Sequence, residues 1–585
     1  MCALGILAAG LPAVSSAKST NRGKAPDFGP NVIILDPTMP QAEIQSRIDA
    51  IAQEQKLAQF GQGRYAIFLK PGTYTLDAKI AFYTQLAGLG LSPDDVTIHG
   101  HVQSLAMAGP WSVLVSFWRS AENMCVIPPD GADHWAVSQA APYRRMHVRG
   151  NLFLHDNGPG SGGFIADSEI EGAVDANWQQ QWFTRNSSIR GWHGGLWNMV
   201  FVGVDGAPPA TPENVDPSKV AIPGSPVLTD IPETPVIAEK PFLYVDKAGA
   251  FKVFVPSLKS NSQSISWANG PPAGKSLSMS RFFLAKPTMS AAEINSELSR
   301  GKSLVLTPGI YQVAEPIRIT HPETIVMGLG LATILPENGA IAMTVADVGG
   351  VKISGILFDA GAVNSPILLE VGPEGSSKNH AADPIFLYDI FARIGGAGAA
   401  GAAQSVVVNS HNVVGDDLWL WRADHGKDVG WDTNPAANGL VVNGNDVTMY
   451  GLFVEHYQQY QVLWNGERGR TYFFQNEIPY DPPSQAAYRA GKTPGWSSYK
   501  VAANVKQHEA WGMGSYIYEP KHPEIVLAHS FETPDSSRIE FRNLITFSLG
   551  PGKGTIEHVI NDYGPIAHQA KFTDPGSLVT AYPPK

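Results

Sequence analysis

The chain has 585 residues, 43% of them hydrophobic and 16% charged, which excludes a disordered chain and leaves room for a large core, enough for two domains. A net charge of −11 with histidine neutral argues against a nucleic-acid partner and suits a neutral substrate better than a polyanion. Two cysteines, Cys2 and Cys125, exclude a disulfide framework and a CxxC metal site, and nothing in the sequence calls for a metal or a cofactor.

In chain order, the apolar run Cys2 to Val14, followed by the small residues Ser15-Ser16-Ala17, reads as a secretory leader whose basic start is missing. Leader and linker together are assigned to 1–27, and the protein is expected to be secreted. No later segment reaches the length of a membrane span. A short helix is predicted next, with Ile44, Ile48 and Ile51 on one face. Short β-type runs broken by Gly, Asn and Asp follow. Residues 206–235, with eight prolines, read as a long surface loop. Asn269-Gly270-Pro271-Pro272-Ala273-Gly274 marks a boundary, so the domains are placed at 28–274 and 275–585.

The second part repeats the first. Asp36-Pro37-Thr38-Met39 is matched by Lys286-Pro287-Thr288-Met289, Pro71-Gly72-Thr73-Tyr74 by Pro308-Gly309-Ile310-Tyr311, and Gly88-Leu89-Gly90-Leu91 by Gly328-Leu329-Gly330-Leu331. Three matched blocks in one order indicate an internal duplication. The second copy also opens on a helix, with Ser290 to Glu293 as its capping box. Helices alternating with strands are absent. The expected fold is therefore all-β: two tandem right-handed parallel β-helices, each with a short N-terminal helix plugging its open end. A β-sandwich is the rival.

Chemistry gathers between residues 416 and 483. Three segments end near a carboxylate: one at Asp424, one at Glu455, one at Glu477. Glu455 and Glu477 are 22 residues apart, about one coil of such a solenoid. Successive coils lie about 4.8 Å apart, so the acids stack on one wall. Paired carboxylates are what glycosidic cleavage needs. Glu477, beside Phe474, Ile478 and Tyr480, is expected to be desolvated and held protonated; Glu455 can order a water or raise the pKa of Glu477; Asp424 and His425 can bind sugar hydroxyls. Taken singly, Glu477 reads equally well as a turn-capping residue, and Glu455 and the Asp424-His425 pair are more often structural. Trp419, Trp421, Tyr457, Tyr480 and their aromatic neighbours offer faces for sugar rings, or simply fill the solenoid.

The segments Val454-Glu455-His456-Tyr457 and Gln475-Asn476-Glu477-Ile478-Pro479-Tyr480 resemble the paired motif of glycoside hydrolase family 55, the exo-acting β-1,3-glucanases. Trp419-Leu420-Trp421-Arg422-Ala423-Asp424-His425 is similar to another segment of that family, as are Gly162-Gly163-Phe164 and Gln180-Gln181-Trp182-Phe183-Thr184-Arg185-Asn186. The resemblance implies a tandem β-helix and inverting hydrolysis of a β-1,3-glucan from a chain end. It implies Glu477 as general acid, with Glu455 and Gln181 holding the attacking water. Because Trp182 shifts the register by one, Gln180 is the alternative to Gln181. Asp424, His425, Trp421, Tyr480 and Tyr457 are the expected sugar contacts. Asn476 and Ile478 stand where the family has threonines, which leaves linkage and sugar preference open. The expected partner is a polysaccharide or oligosaccharide and the expected state a monomer. Two other functions compete: a polysaccharide lyase, with Asp416 and Asp417 as calcium ligands, and a non-catalytic glycan-binding solenoid.

Overall fold

The computed structural model describes residues 26–584. The apolar leader, up to residue 25, lies outside the described residues. From Val32 onward the chain makes short strands joined by turns, and nearly all pair in parallel with the strand of the next circuit. The first array runs Val32–Leu35, Tyr65–Leu69, Thr84–Gly88, Arg119–Ile127, Tyr143–Val148, Phe164–Ala166, Gln181–Arg185, Asn198–Val202, Val227–Ile231. The proline-rich stretch 206–235 is therefore not all loop. Val227–Ile231 is the last parallel strand, and Pro226 stands just before it, where a missing N–H costs no ladder bond.

Gly274–Ser278 pairs antiparallel with Phe251–Pro256 in a small sheet, so the break expected at 274/275 falls inside a strand. The second array opens at Phe282–Ala285. One of its sheets carries Ile385–Ile394, Val413–Arg422, Thr448–Glu455, Gly469–Glu477 and Gln507–Ile517 side by side; the other carries Ala402–Val408, Asn438–Val442, Val462–Trp464 and Tyr499–Val501. Each circuit of the chain gives one strand to each sheet, and a single apolar core lies between them. Thr448 is in register with Arg470, a circuit of 22 residues, and at the turns Asn465 donates to Asn443 and Asn443 to Asn409.

Both expected helices are present, and each closes a core. Gln41–Gln55 buries Ile44, Ile48 and Ile51 against the first array. Ala291–Leu298 buries Ala291, Ile294 and Leu298 against the second. Its N-terminus is closed by the Ser290–Glu293 capping box, which satisfies backbone N–H groups that the first turn leaves without partners.

The two arrays meet over an aromatic layer that includes Phe117, Trp118, Phe164 and Phe183 from the first and Trp419, Trp421, Tyr450, Phe453 and Phe473 from the second. A buried ion network crosses the same junction. Arg144 donates to Asp389 at 2.6 Å and to Asp416 at 2.7 Å; Arg185 donates to Asp416 at 2.8 Å and to Asp167 at 3.0 Å. Lys240 reaches Glu122 and Asp389. Buried charges persist only when paired, so this network sets the relative placement of the arrays with little tolerance.

Candidate active site

A cavity of about 860 Å³ opens at the junction and takes its lining from both arrays. Asp424, His425, Glu455, His456, Glu477 and Tyr480 line it from the second; Phe117, Gln139, Ser161, Trp178 and Gln180 line it from the first. The stacked-coil spacing thus brings the three expected acids to one space. Parallel pairing sets Phe453 beside Gln475, and the His456 N–H donates to the Glu477 carbonyl at 2.8 Å, which holds Glu455 and Glu477 on adjacent circuits. His456 has φ +67°, a left-handed residue that turns the chain out of the strand just after Glu455.

The two glutamates have different surroundings. Glu455 is 3% exposed and accepts three N–H bonds: Gln139 at 2.9 Å and Gln475 at 2.7 Å on Oε1, Trp419 Nε1 at 2.8 Å on Oε2. All three donors are neutral and all three favour a carboxylate, though burial still raises its pKa. Glu477 receives the Tyr480 hydroxyl on Oε2. Burial first, then the nearby charges of Glu455 and Asp424, push its carboxyl well above the ordinary range. Asp424 goes the other way. Burial opposes its ionisation, but the His425 hydrogen bond at 2.8 Å and the charges of His456 and His425 hold it down at about 2. One acid is therefore kept protonated beside one kept ionised, with a third oriented in a fixed carboxylate cage, the division of labour that acid–base chemistry requires.

Trp421 lies on the cavity wall, stacked on Trp419 with ring centroids 5.1 Å apart. Tyr480 packs edge-on against His456 and Tyr518. Two expected residues are elsewhere. Tyr457 is fully buried in the core of the second array, its hydroxyl bonded to Ser405 at 2.6 Å, because the chain turns at His456 and sends the next side chain inward. It is not a wall residue. Gln181 does not line the cavity either. It begins the strand Gln181–Arg185, whose alternate residues Gln181, Phe183 and Arg185 face the second array; its Oε1 accepts from Tyr516 at 2.7 Å and its Nε2 donates to Ser161 O. Gln180, one residue earlier, lines the cavity, and among the described residues its buried Oε1 has no partner. Gln180 sits in the bend just before the strand that Gln181 begins, so the two side chains leave in different directions and of the two Gln180 lines the cavity.

Gln139 was not legible in the sequence. It sits in Val137-Ser138-Gln139-Ala140-Ala141, which carries no motif, and holds a left-handed φ of +27° while bonding Glu455. Trp111 and Trp178, 72% and 39% exposed at the cavity, were missed for the same reason. Among the described residues no Lys or Arg lines the cavity, and Asp416 and Asp417 are buried away from it, Asp416 in the junction network. The basic residue and the calcium ligands that a lyase would use are thus not gathered there.

A family model described as the LAM55 pectate lyase-like domain matches residues 282–477. An exo-beta-1,3-glucanase from Streptomyces sp. (strain SirexAA-E / ActE) is 49% identical over 542 residues, 92% of this chain and 87% of that protein. The chain belongs to glycoside hydrolase family 55. The structure of sacteLam55A from Streptomyces sp. SirexAA-E superposes with a TM-score of 0.91 at 48% identity, covering 95% of this chain and 99% of that one. A Glu-to-Ala variant of sacteLam55A in complex with glucose also matches with a TM-score of 0.91, at 47% identity over 96% and 99% of the two chains. The family-55 model ends at Glu477, the last residue of the strand Gly469–Glu477.

Proposed function

We propose that this family-55 chain is an exo-acting β-1,3-glucanase, built as two tandem right-handed parallel β-helices divided near residue 275, that hydrolyses with inversion. One observation carries the mechanism: Glu477 and Glu455 face one cavity from adjacent circuits, the first raised in pKa by burial and like charge, the second caged by three N–H donors. Glu477 gives its proton to the glycosidic oxygen as the bond to the anomeric carbon breaks. Water held against Glu455 attacks that carbon from the opposite face, and Glu455 takes the water's proton. Gln139 fixes Glu455, and the free Oε1 of Gln180 is placed to orient the water or a sugar hydroxyl. Trp421, its ring stacked on Trp419 and on Phe60, backs the cavity wall rather than offering a ring face, while Asp424 and His425 bind hydroxyls. The apolar leader supports action outside the cell, and a cavity completed by a single chain supports a monomer.

Incubation with β-1,3-, β-1,4- and α-linked glucans and with uronate polymers tests this reading. Glucose is expected from the β-1,3 polymer, and proton NMR of fresh product should show the α-anomer. Unsaturated uronate products, or binding without turnover, would replace the proposal with one of its rivals.

The two glutamines separate by mutation. Gln180→Ala should lower kcat with the fold intact, whereas Gln181→Ala should chiefly lower the thermal midpoint by loosening Tyr516 and Ser161. Equal kinetic losses in both, with no change in stability, would return Gln181 to the site.

Asp424→Asn probes the electrostatics. The acid works only while protonated, so the alkaline limb of kcat/KM follows the Glu477 pKa. The Asp424 charge helps to raise that pKa. Removing an anion favours ionisation of Glu477, lowers its pKa, and should move the alkaline limb to lower pH. A limb that stays in place or moves up would exclude Glu477 as the titrating acid.

A further inference from the structure

A cluster of polar groups lies in the first array, away from the catalytic cavity. There Cys125 and His147 are register partners on adjacent strands, and Glu169 is the partner of His147 on the next. The Pro93–Asp95 turn lays Asp94 over this ladder, with its Oδ1 2.7 Å from His147 Nδ1. One donor atom from each of Asp94, Cys125 and His147 lies within 4.8 Å of the others, and among the described residues no other such trio occurs.

We propose that Asp94, Cys125 and His147 form a binding site for a borderline-soft divalent cation, zinc foremost. Thiolate, imidazole and carboxylate are a zinc donor set, with a fourth position left for water. A thiolate and an imidazole select against magnesium and calcium. His147 meets Asp94 through Nδ1, while its other nitrogen, Nε2, meets Glu171 Oε1 at 3.0 Å. That is the carboxylate–histidine–metal arrangement that orients a ligating ring. Trp267 covers the imidazole at 5.7 Å and is pinned by its indole N–H to the Asp167 carbonyl. Glu169 and Glu171 add negative charge, and Arg149, 3.8 Å from Asp94 and 3.9 Å from Glu171, offsets part of it from outside. Binding exchanges the Cys125 thiol proton for metal. Asp94 is half-exposed, which leaves an entry path. A bound ion would tie the turn to two rungs of the array. None of the three ligands lines the catalytic cavity, so the site is independent of the hydrolytic reading.

The test uses full-length protein with Cys2→Ser, so that Cys125 is the one thiol. After chelation, titration with cadmium should give a sulfur-to-metal charge-transfer band saturating at one equivalent, and zinc should displace it. Zinc at a hundredfold excess over its dissociation constant should raise the thermal midpoint by about 2 °C or more. Cys125→Ser should abolish the band. Asp94→Ala, at a half-exposed turn position, should weaken binding at least about tenfold while leaving the fold intact, and keeps the test valid if the Cys125 variant misfolds. Absence of a saturable band, or cadmium affinity unchanged in Asp94→Ala, would overturn the site.

Discussion

Glu477→Gln is expected to lower kcat on a β-1,3-glucan by about 10²–10⁴-fold, with KM little changed. Glutamine keeps the shape of the side chain and its reach to the Tyr480 hydroxyl, but it has no proton to give to the leaving oxygen. Stabilisation of the developing charge by the caged Glu455 and the surrounding wall remains. The loss should therefore depend on the leaving group. An aryl β-glucoside whose phenol is already a weak base needs no protonation, and the variant should cleave it at a rate close to wild type. A purely structural role for Glu477 would depress both substrates alike. Near wild-type turnover of the glucan by the variant would end the assignment. Glu455→Gln should differ in kind: its loss persists with the activated substrate, because the attacking water then lacks its base.

Asp416→Ala is expected to destabilise the protein by about 3–5 kcal/mol. Asp416 is fully buried and accepts from two guanidinium groups, Arg144 and Arg185, which come from two different strands of the first array. Each arginine retains another carboxylate, Asp389 for Arg144 and Asp167 for Arg185, yet each loses acceptors it cannot replace with water. The cost is the exposure of positive charge to an apolar junction rather than the loss of a contact. The control is Asp446→Ala, which breaks the half-exposed pair of Asp446 with Arg468 at 2.7 Å and should cost at most about 1 kcal/mol. Thermal midpoints should fall by several degrees in the first variant and hardly move in the second. The same loosening of the junction should reduce activity in Asp416→Ala, since the cavity takes one wall from each array. An unshifted midpoint would show that the network carries no net load.

Much of the site was legible because a stacked coil converts sequence distance directly into spatial proximity. A 22-residue interval between Glu455 and Glu477, a matching interval between Asn443 and Asn465, and alternating apolar residues between them suffice to place two carboxylates on neighbouring rungs. The duplicated Pro-Thr-Met blocks and the two helices that follow them were equally readable, since a capping box and a one-sided apolar face are local features. What remained hidden depended on single-residue facing or on long-range meeting. Gln180 rather than Gln181 lines the cavity because it sits in the bend just before the strand that Gln181 begins. Tyr457 turns into the core because the chain leaves its strand at the left-handed His456. Gln139 bonds Glu455 across 316 positions of sequence, and Arg144 meets Asp389 across 245.

By itself the sequence determined the repeating architecture and the stack of acids, because both follow from periodicity, which each short segment carries within itself. The rest was decided only by tertiary structure: which glutamine faces the cavity, which charges interlock at the junction, and, within the first array, how Cys125, His147 and Asp94 come together. These are contacts between different circuits or different arrays, and their geometry depends on how circuits stack and how the two arrays dock, an outcome of packing and buried-charge pairing that no local pattern encodes.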